Sequence, residues 1–264
     1  MLLKRGIRIL KISLKLRMKK ISLYRGDYIF HAISNVIFLL SSIFFWYIVT
    51  EVGFNIKGWS FSQILVYVAF SEFFYGLNQN VFSIASQYWN LIYGGTLDVQ
   101  LCRPLDTRLR LIILNMDISG LLLTIVKFVV ILCLAQIKLE IWKLLLGIFI
   151  VIVAYITFSL LQFTISYFAF WLHKVDALTE ISENLTLFNK YPLVIFPTII
   201  KGVFCIVFPF YFFSTFSAEL VLAKIQTDFI LIYLIALVIN LIFWWGLSNI
   251  VFRKGRRRYE SING

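Results

Sequence analysis

The sequence predicts an all-α, polytopic membrane protein: six transmembrane helices preceded by an amphipathic interfacial helix, with both termini in the cytoplasm. Three observations carry this. Apolar residues make up 61% of the 264 positions and charged residues 14%, with a mean hydropathy of +0.89, against about 45–50% and about 25% in a soluble domain. Six stretches reach the roughly 20 apolar residues that a bilayer core demands of a helix. Lys and Arg are concentrated in alternate connections, and that bias sets orientation.

Residues 1–27 read as the interfacial helix. Leu3, Ile7, Leu10, Leu14, Met18 and Ile21 recur at helical spacing, beside a row of Lys4, Arg8, Lys11, Lys15 and Lys19. Such a basic amphipathic helix lies along a membrane surface, drawn by anionic headgroups. A second apolar row, Ile9, Ile12, Leu16 and Leu23, lies nearly opposite the first and would pack on the bundle. The segment is too long and too charged for the start of a signal peptide, and no small-residue cleavage site follows.

Residues 28–252 hold the six spans. They are expected from Tyr28 to Thr50, Phe61 to Phe82, Leu111 to Ile137, Ile141 to Leu172, Leu193 to Phe216 and Phe229 to Phe252. Pro192, Pro197 and Pro209 put breaks or kinks at the ends of the fifth. The apolar run from Phe208 to Ile225 carries Pro209, Glu219 and Lys224, and reads as short re-entrant or interfacial helices. Residues 253–264 form a basic tail. With the N-terminus inside, the inner pieces hold nine Lys/Arg before Asp27, three in the second loop, two in the fourth and five in the tail; the outer loops hold four. That asymmetry argues for N-in and C-in.

The same placement explains the net charge of +12. The basic residues sit at the ends and in short loops, which points to membrane lipids and not to nucleic acid. Cys102, Cys133 and Cys205 show no metal or disulfide spacing. His31 and His173 fall near membrane boundaries. The sequon at Asn184 falls in a predicted inner loop. No phosphate-binding G-x-x-x-x-G-K-[ST], G-x-S-x-G or H-E-x-x-H occurs, so the chain is expected to bind no ATP or metal itself and not to be an enzyme.

Two constellations stand out. The first is the loop of residues 86–105, in which a helical start gives way to Gly94-Gly95, then to a short segment that Thr96 is placed to cap, then to Arg103-Pro104. A short amphipathic helix between two turns suits a groove on a soluble partner. The second is a set of charges within the spans: Glu72, Asp117, Lys127 and Lys201. Each costs roughly 2.5–3.5 kcal/mol at the bilayer centre, so each should face protein or water. They line a polar path or pair helices. By depth, Glu72 and Lys201 are the expected pair, and Asp117 lies closer to the inner interface.

At the loop the chain resembles the membrane subunits of type-2 ATP-binding cassette (ABC) exporters. One branch carries a pattern matched here by Ile92, Gly95, Leu97, Asp98, Leu101, Arg103, Pro104 and Leu105. The same branch has Tyr-Pro at the start of the fifth span and Pro-Phe near its outer end, here Tyr191-Pro192 and Pro209-Phe210. It closes on a basic tail followed by Tyr-Glu-Ser-x-Gly, here Arg256 to Gly264 with Tyr259 and Glu260 and two residues between Ser261 and Gly264. The resemblance implies a permease subunit whose loop of residues 86–105 is a coupling helix seated on a separate ATPase. Ile92, Gly95, Leu97, Asp98, Leu101, Arg103 and Pro104 would make that contact, and Arg257, Tyr259 and Glu260 a tail contact. It further implies two ATPase subunits that bind the ATP and Mg, and a second permease, related or identical, with a heterodimer favoured. The site is expected in a bacterial cell membrane. Two other readings compete: a secondary transporter using the intramembrane charges as an ion relay, and a non-transporting scaffold.

Overall fold

In the computed structural model, residues 25–259 are described, except 54, 55, 57, 82, 104, 105 and 207. The predicted interfacial helix of residues 1–27 falls almost wholly outside the described residues, as do Pro104 and Glu260. The elements are α1 (Arg25–Glu51), α2 (Phe61–Asn80), α3 (Ile84–Tyr93), α4 (Leu97–Leu101), α5 (Thr107–Asn115), α6 (Ile118–Ala135), α7 (Ile141–Tyr167), α8 (Ala169–Leu172), α9 (Asp176–Leu185), α10 (Thr198–Ile206), α11 (Thr215–Val221) and α12 (Thr227–Arg258), with 3-10 turns at Thr186–Lys190, Leu193–Ile195 and Pro209–Phe212. There is no strand among the described residues.

Among the described residues, four helices are long and apolar enough to cross a membrane: Tyr28–Glu51, Ile118–Ala135, Ile141–Leu172 and Phe229–Arg258. The other two expected spans differ for physical reasons. α2 has the length, 20 residues or about 30 Å, but is more polar. It carries Gln63, Ser71, Glu72, Asn78, Gln79 and Asn80. It is the innermost helix, with Ile64 to Phe70 almost continuously buried. A helix shielded by its neighbours on most sides need not match lipid. Ser60 starts it with a capping box, its hydroxyl and the Gln63 side chain each meeting the other's backbone N–H.

The fifth expected span, from Leu193 to Phe216, is not one helix. The prolines cut it into the 3-10 turn Leu193–Ile195, the nine-residue α10, the 3-10 turn Pro209–Phe212 and the start of α11. Nine residues rise only about 14 Å, short of the hydrocarbon thickness. Pro209 to Val221 is nonetheless buried almost throughout. The apolar run beyond Phe208 folds inward over α7 and α2 as short pieces and does not lie loose on a surface.

The third expected span also divides. Met116 and Asp117 are extended, and Asp117 caps α6, accepting from the Ser119 N–H at 3.2 Å and its hydroxyl at 2.7 Å. The last helix continues past the expected boundary at Phe252 to Arg258.

Two cores result. The larger surrounds α2, where Phe70 and Phe74 meet Phe128 of α6, Tyr155 and Phe158 of α7, and Phe213. The smaller lies at one end, where Ile84, Tyr88, Ile92 and Leu97 close on Leu111, Tyr167, Phe170 and Val175.

Candidate functional site

The end core holds the loop that the sequence singled out. α3 runs to Tyr93 and stops at Gly94-Gly95. Gly95 has φ +66, a left-handed conformation that a side chain would strain. α4 then occupies only five residues. Thr96 makes no side-chain cap, contrary to expectation, and Asp98 stands in the first turn instead, where a carboxylate suits the helix dipole.

The faces of this loop divide sharply. Ile92 and Leu97 are buried, Leu97 completely, and Leu101 is half-buried against the same core. Tyr93, Thr96, Val99, Cys102 and Arg103 are exposed. Ile92 and Leu97 are therefore knobs turned into the protein's own core, and the outward surface of the loop is Tyr93, Val99 and Arg103. A five-residue helix is too short for periodicity to reveal this, which is why Tyr93 and Val99 escaped the sequence reading.

Side chains brace the loop from behind. Arg110 of α5 is buried and donates to the Gln100 side chain of α4 at 2.9 Å. Burial lowers its pKa from the usual arginine value, and the charge of Arg103 adds to the effect. Arg108 donates to the Asn249 side chain of α12 at 2.8 Å and lies 3.6 Å from Asp106, which caps α5. Neither arginine had been given this role by sequence. Tyr88, fully buried, stands edge-on to Tyr167 at 5.2 Å, and Tyr167 meets Phe252 of α12 at 4.9 Å.

The tail joins here as well. A Cβ on Gly255 would fall 2.1 Å from the Phe170 ring, so only glycine lets α12 come this close to α8. Tyr259 packs edge-on against Phe170 at 5.7 Å. Burial pushes the Tyr259 hydroxyl above its ordinary pKa, and the facing Asp98 carboxylate raises it further. A residue of the loop pattern and a residue of the tail pattern thus sit together, 161 positions apart in sequence. Arg257 is exposed.

The charges within the bundle form two separate pairs. Lys127 of α6 donates to Glu72 of α2 at 2.9 Å and to the Asn35 side-chain oxygen of α1 at 3.3 Å. Lys201 of α10 lies 3.9 Å from Glu219 of α11 and 4.5 Å above the Tyr211 ring, whose hydroxyl donates to Glu219. The expected Glu72–Lys201 pair does not form: depth alone had matched them, but the facing of α2 and α6 turns Glu72 to Lys127. Asp117 is a helix cap and takes no part in either pair.

A polar stripe on α2 was missed altogether. Tyr67 and Ser71 donate to the Asn189 carbonyl at 2.7 and 3.0 Å, and Tyr75 to the Thr186 carbonyl at 2.8 Å. The Asn189 side chain binds Ser71 and Ser214. Irregular backbone shielded from water survives only where protein supplies its hydrogen bonds, and residues spaced four apart on α2 do so here. Lys190, counted with an inner loop from sequence, follows directly and lies alongside the middle of α2.

An α-helical, multi-pass membrane protein with a braced loop at one end and paired charges within is the class these features define. The family model described as ABC-2 family transporter protein matches residues 36–263, and the chain belongs to that family. No curated protein and no solved structure matches it. The chain is accordingly the permease type of subunit in a transporter, not a catalyst, and its family implies partnership with an ABC ATPase.

Proposed function

We propose that this chain is half of the translocation path of an ATP-driven exporter and that a separate ATPase grips it through Tyr93 to Arg103. In this reading both termini are cytoplasmic in a bacterial cell membrane. The bundle crosses it six times, α2 and the broken segment after Lys190 making the second and fifth crossings. Two ATPase subunits supply the ATP and Mg site, and a second permease, more plausibly a related chain than a copy, completes the pathway.

The observation that carries the reading is the loop's division into a buried and an exposed face. Leu97 and Ile92 anchor α4 in the end core, while Tyr93, Val99 and Arg103 project outward. A docking knob must be rigid to transmit force. The Arg110–Gln100 and Arg108–Asn249 contacts supply that rigidity, tying α4 to α5 and α5 to the membrane helix α12. Movement of α4 would pass through α5 into α12. An ion-relay carrier is less well supported, since Glu72 and Lys127 already satisfy one another.

Co-expression with each P-loop ATPase encoded beside this gene provides the test. Val99→Asp and Arg103→Glu, both on the exposed face, should abolish co-purification of the ATPase while leaving the permease monodisperse. Undiminished co-purification with both variants would overturn the assignment.

A further inference from the structure

Beside the Glu72–Lys127 pair, a groove of about 500 Å³ runs between α1 and α2 and ends at Lys190 and Tyr191. We propose that it binds an amphipathic molecule bearing one acidic group, with the acid at Lys190 and the apolar body along Phe45 and Trp46. The size is that of a small-ligand site.

Charge decides the head group. Among the described residues three charged side chains line the groove, and two of them, Glu72 and Lys127, neutralise each other at 2.9 Å. Lys190 has no carboxylate partner among the described residues. It follows Asn189, which is hydrogen-bonded to Tyr67 and Ser71 in the middle of α2. The Lys190 side chain is exposed in the groove and carries a charge with no counter-charge there. An anion entering the groove supplies one.

The walls decide the body. Trp46 stands edge-on to Tyr191 at 6.3 Å and to Phe45 at 5.2 Å, and Phe45 meets Tyr191 at 6.4 Å. These rings make an apolar cradle directly beside Lys190. At the far end Asn35 binds Lys127. Asn35 and Trp46 are 11 positions apart on α1, about 16 Å along the helix, so the groove accepts an elongated molecule. Ser41 and Ser42 line it between these ends.

This deepens the exporter reading and rests on it only for the purpose of binding. The test needs no ATPase, so its failure is separate from failure of the docking assignment. The full chain in phosphatidylcholine nanodiscs is titrated with 11-bromoundecanoate and with 11-bromoundecanol. Bromine quenches tryptophan on contact, and the Trp46 signal is the part of the quenching that Trp46→Phe removes. Saturable quenching by the acid is expected, with the alcohol weaker by about tenfold or more, the scale of one hydrogen bond to a charged group. Lys190→Gln should bring the acid down to the alcohol, and Lys190→Arg should preserve the preference. Repeating the titration in phosphatidylglycerol nanodiscs separates the sources of the acid. Loss of quenching there assigns the groove to an anionic lipid headgroup, and its retention to a free amphiphile. Equal affinities for acid and alcohol, unsaturable quenching, or a preference that survives Lys190→Gln would each overturn the proposal.

Discussion

Two irregular regions of this protein are held by opposite means. The broken segment from Thr186 to Val221 is stitched by hydrogen bonds: Tyr67, Ser71 and Tyr75 of α2 cap its carbonyls, Thr215 accepts from the Leu193 N–H at 3.0 Å, and Asn189 binds Ser214. The loop from Ile84 to Asn115 is held by apolar burial of Ile92, Leu97 and Leu111, with two arginines as crossbars. The difference follows from the solvent. Buried away from water, an unpaired backbone group costs several kcal/mol, so a break there requires internal donors. At the end of the bundle, water can satisfy the backbone, so a loop needs only an anchor. The first design fixes the broken backbone in place. The second leaves one face free to meet another protein.

Substitutions in the two regions should expose that contrast. The largest expected effect is in the bundle. Lys127→Met leaves Glu72 without its partner and should lower stability by about 3–5 kcal/mol, the cost of breaking a buried pair from one side. Adding Glu72→Gln should recover most of it. Thermal unfolding in detergent reads both, and an unrecovered double variant would mean the pair is not the reason. Leu97→Ala, at a side chain with no exposure, should cost about 2–5 kcal/mol in the end core. It should weaken ATPase docking only as far as it loosens α4. Tyr67→Phe withdraws one donor from the Asn189 carbonyl, which Ser71 still serves, and should cost roughly 0.5–1.5 kcal/mol. Hydrogen exchange around residues 186–195 should rise if the stitching account is correct. The smallest effect belongs to Val99→Asp. An exposed position should change stability by no more than about 0.5 kcal/mol, yet this variant should lose the ATPase.

Much of the architecture was legible because apolar length is a strong signal. The first, fourth and sixth spans agree with α1, α7–α8 and α12 to within a few residues, apart from the extension of α12 into the basic tail. Pro192, Pro197 and Pro209 announced a weak fifth span, but not that it would divide into four short pieces. Asp117 read as a charge inside a span because a local Asx cap needs only Ser119 two residues on, a pattern that hydropathy averages away. The pairing of Glu72 was illegible for another reason: depth follows from position in a span, but facing depends on how α2 and α6 rotate against one another. The loop pattern pointed to the right segment and not to its exposed side, since Ile92 and Leu97, prominent in the pattern, turn inward. The contact of Tyr259 with Phe170 joins residues far apart in sequence and carries no local signal.

The central claim is that the exposed side of α4 faces the cytosol and meets a motor subunit. A single cysteine at Val99, with Cys102, Cys133 and Cys205 replaced by serine, tests it through labelling with a membrane-impermeant maleimide. The account predicts labelling in inside-out vesicles, none in intact cells, and protection when the ATPase is bound. Labelling from outside intact cells, or labelling that the ATPase leaves unchanged, would contradict it.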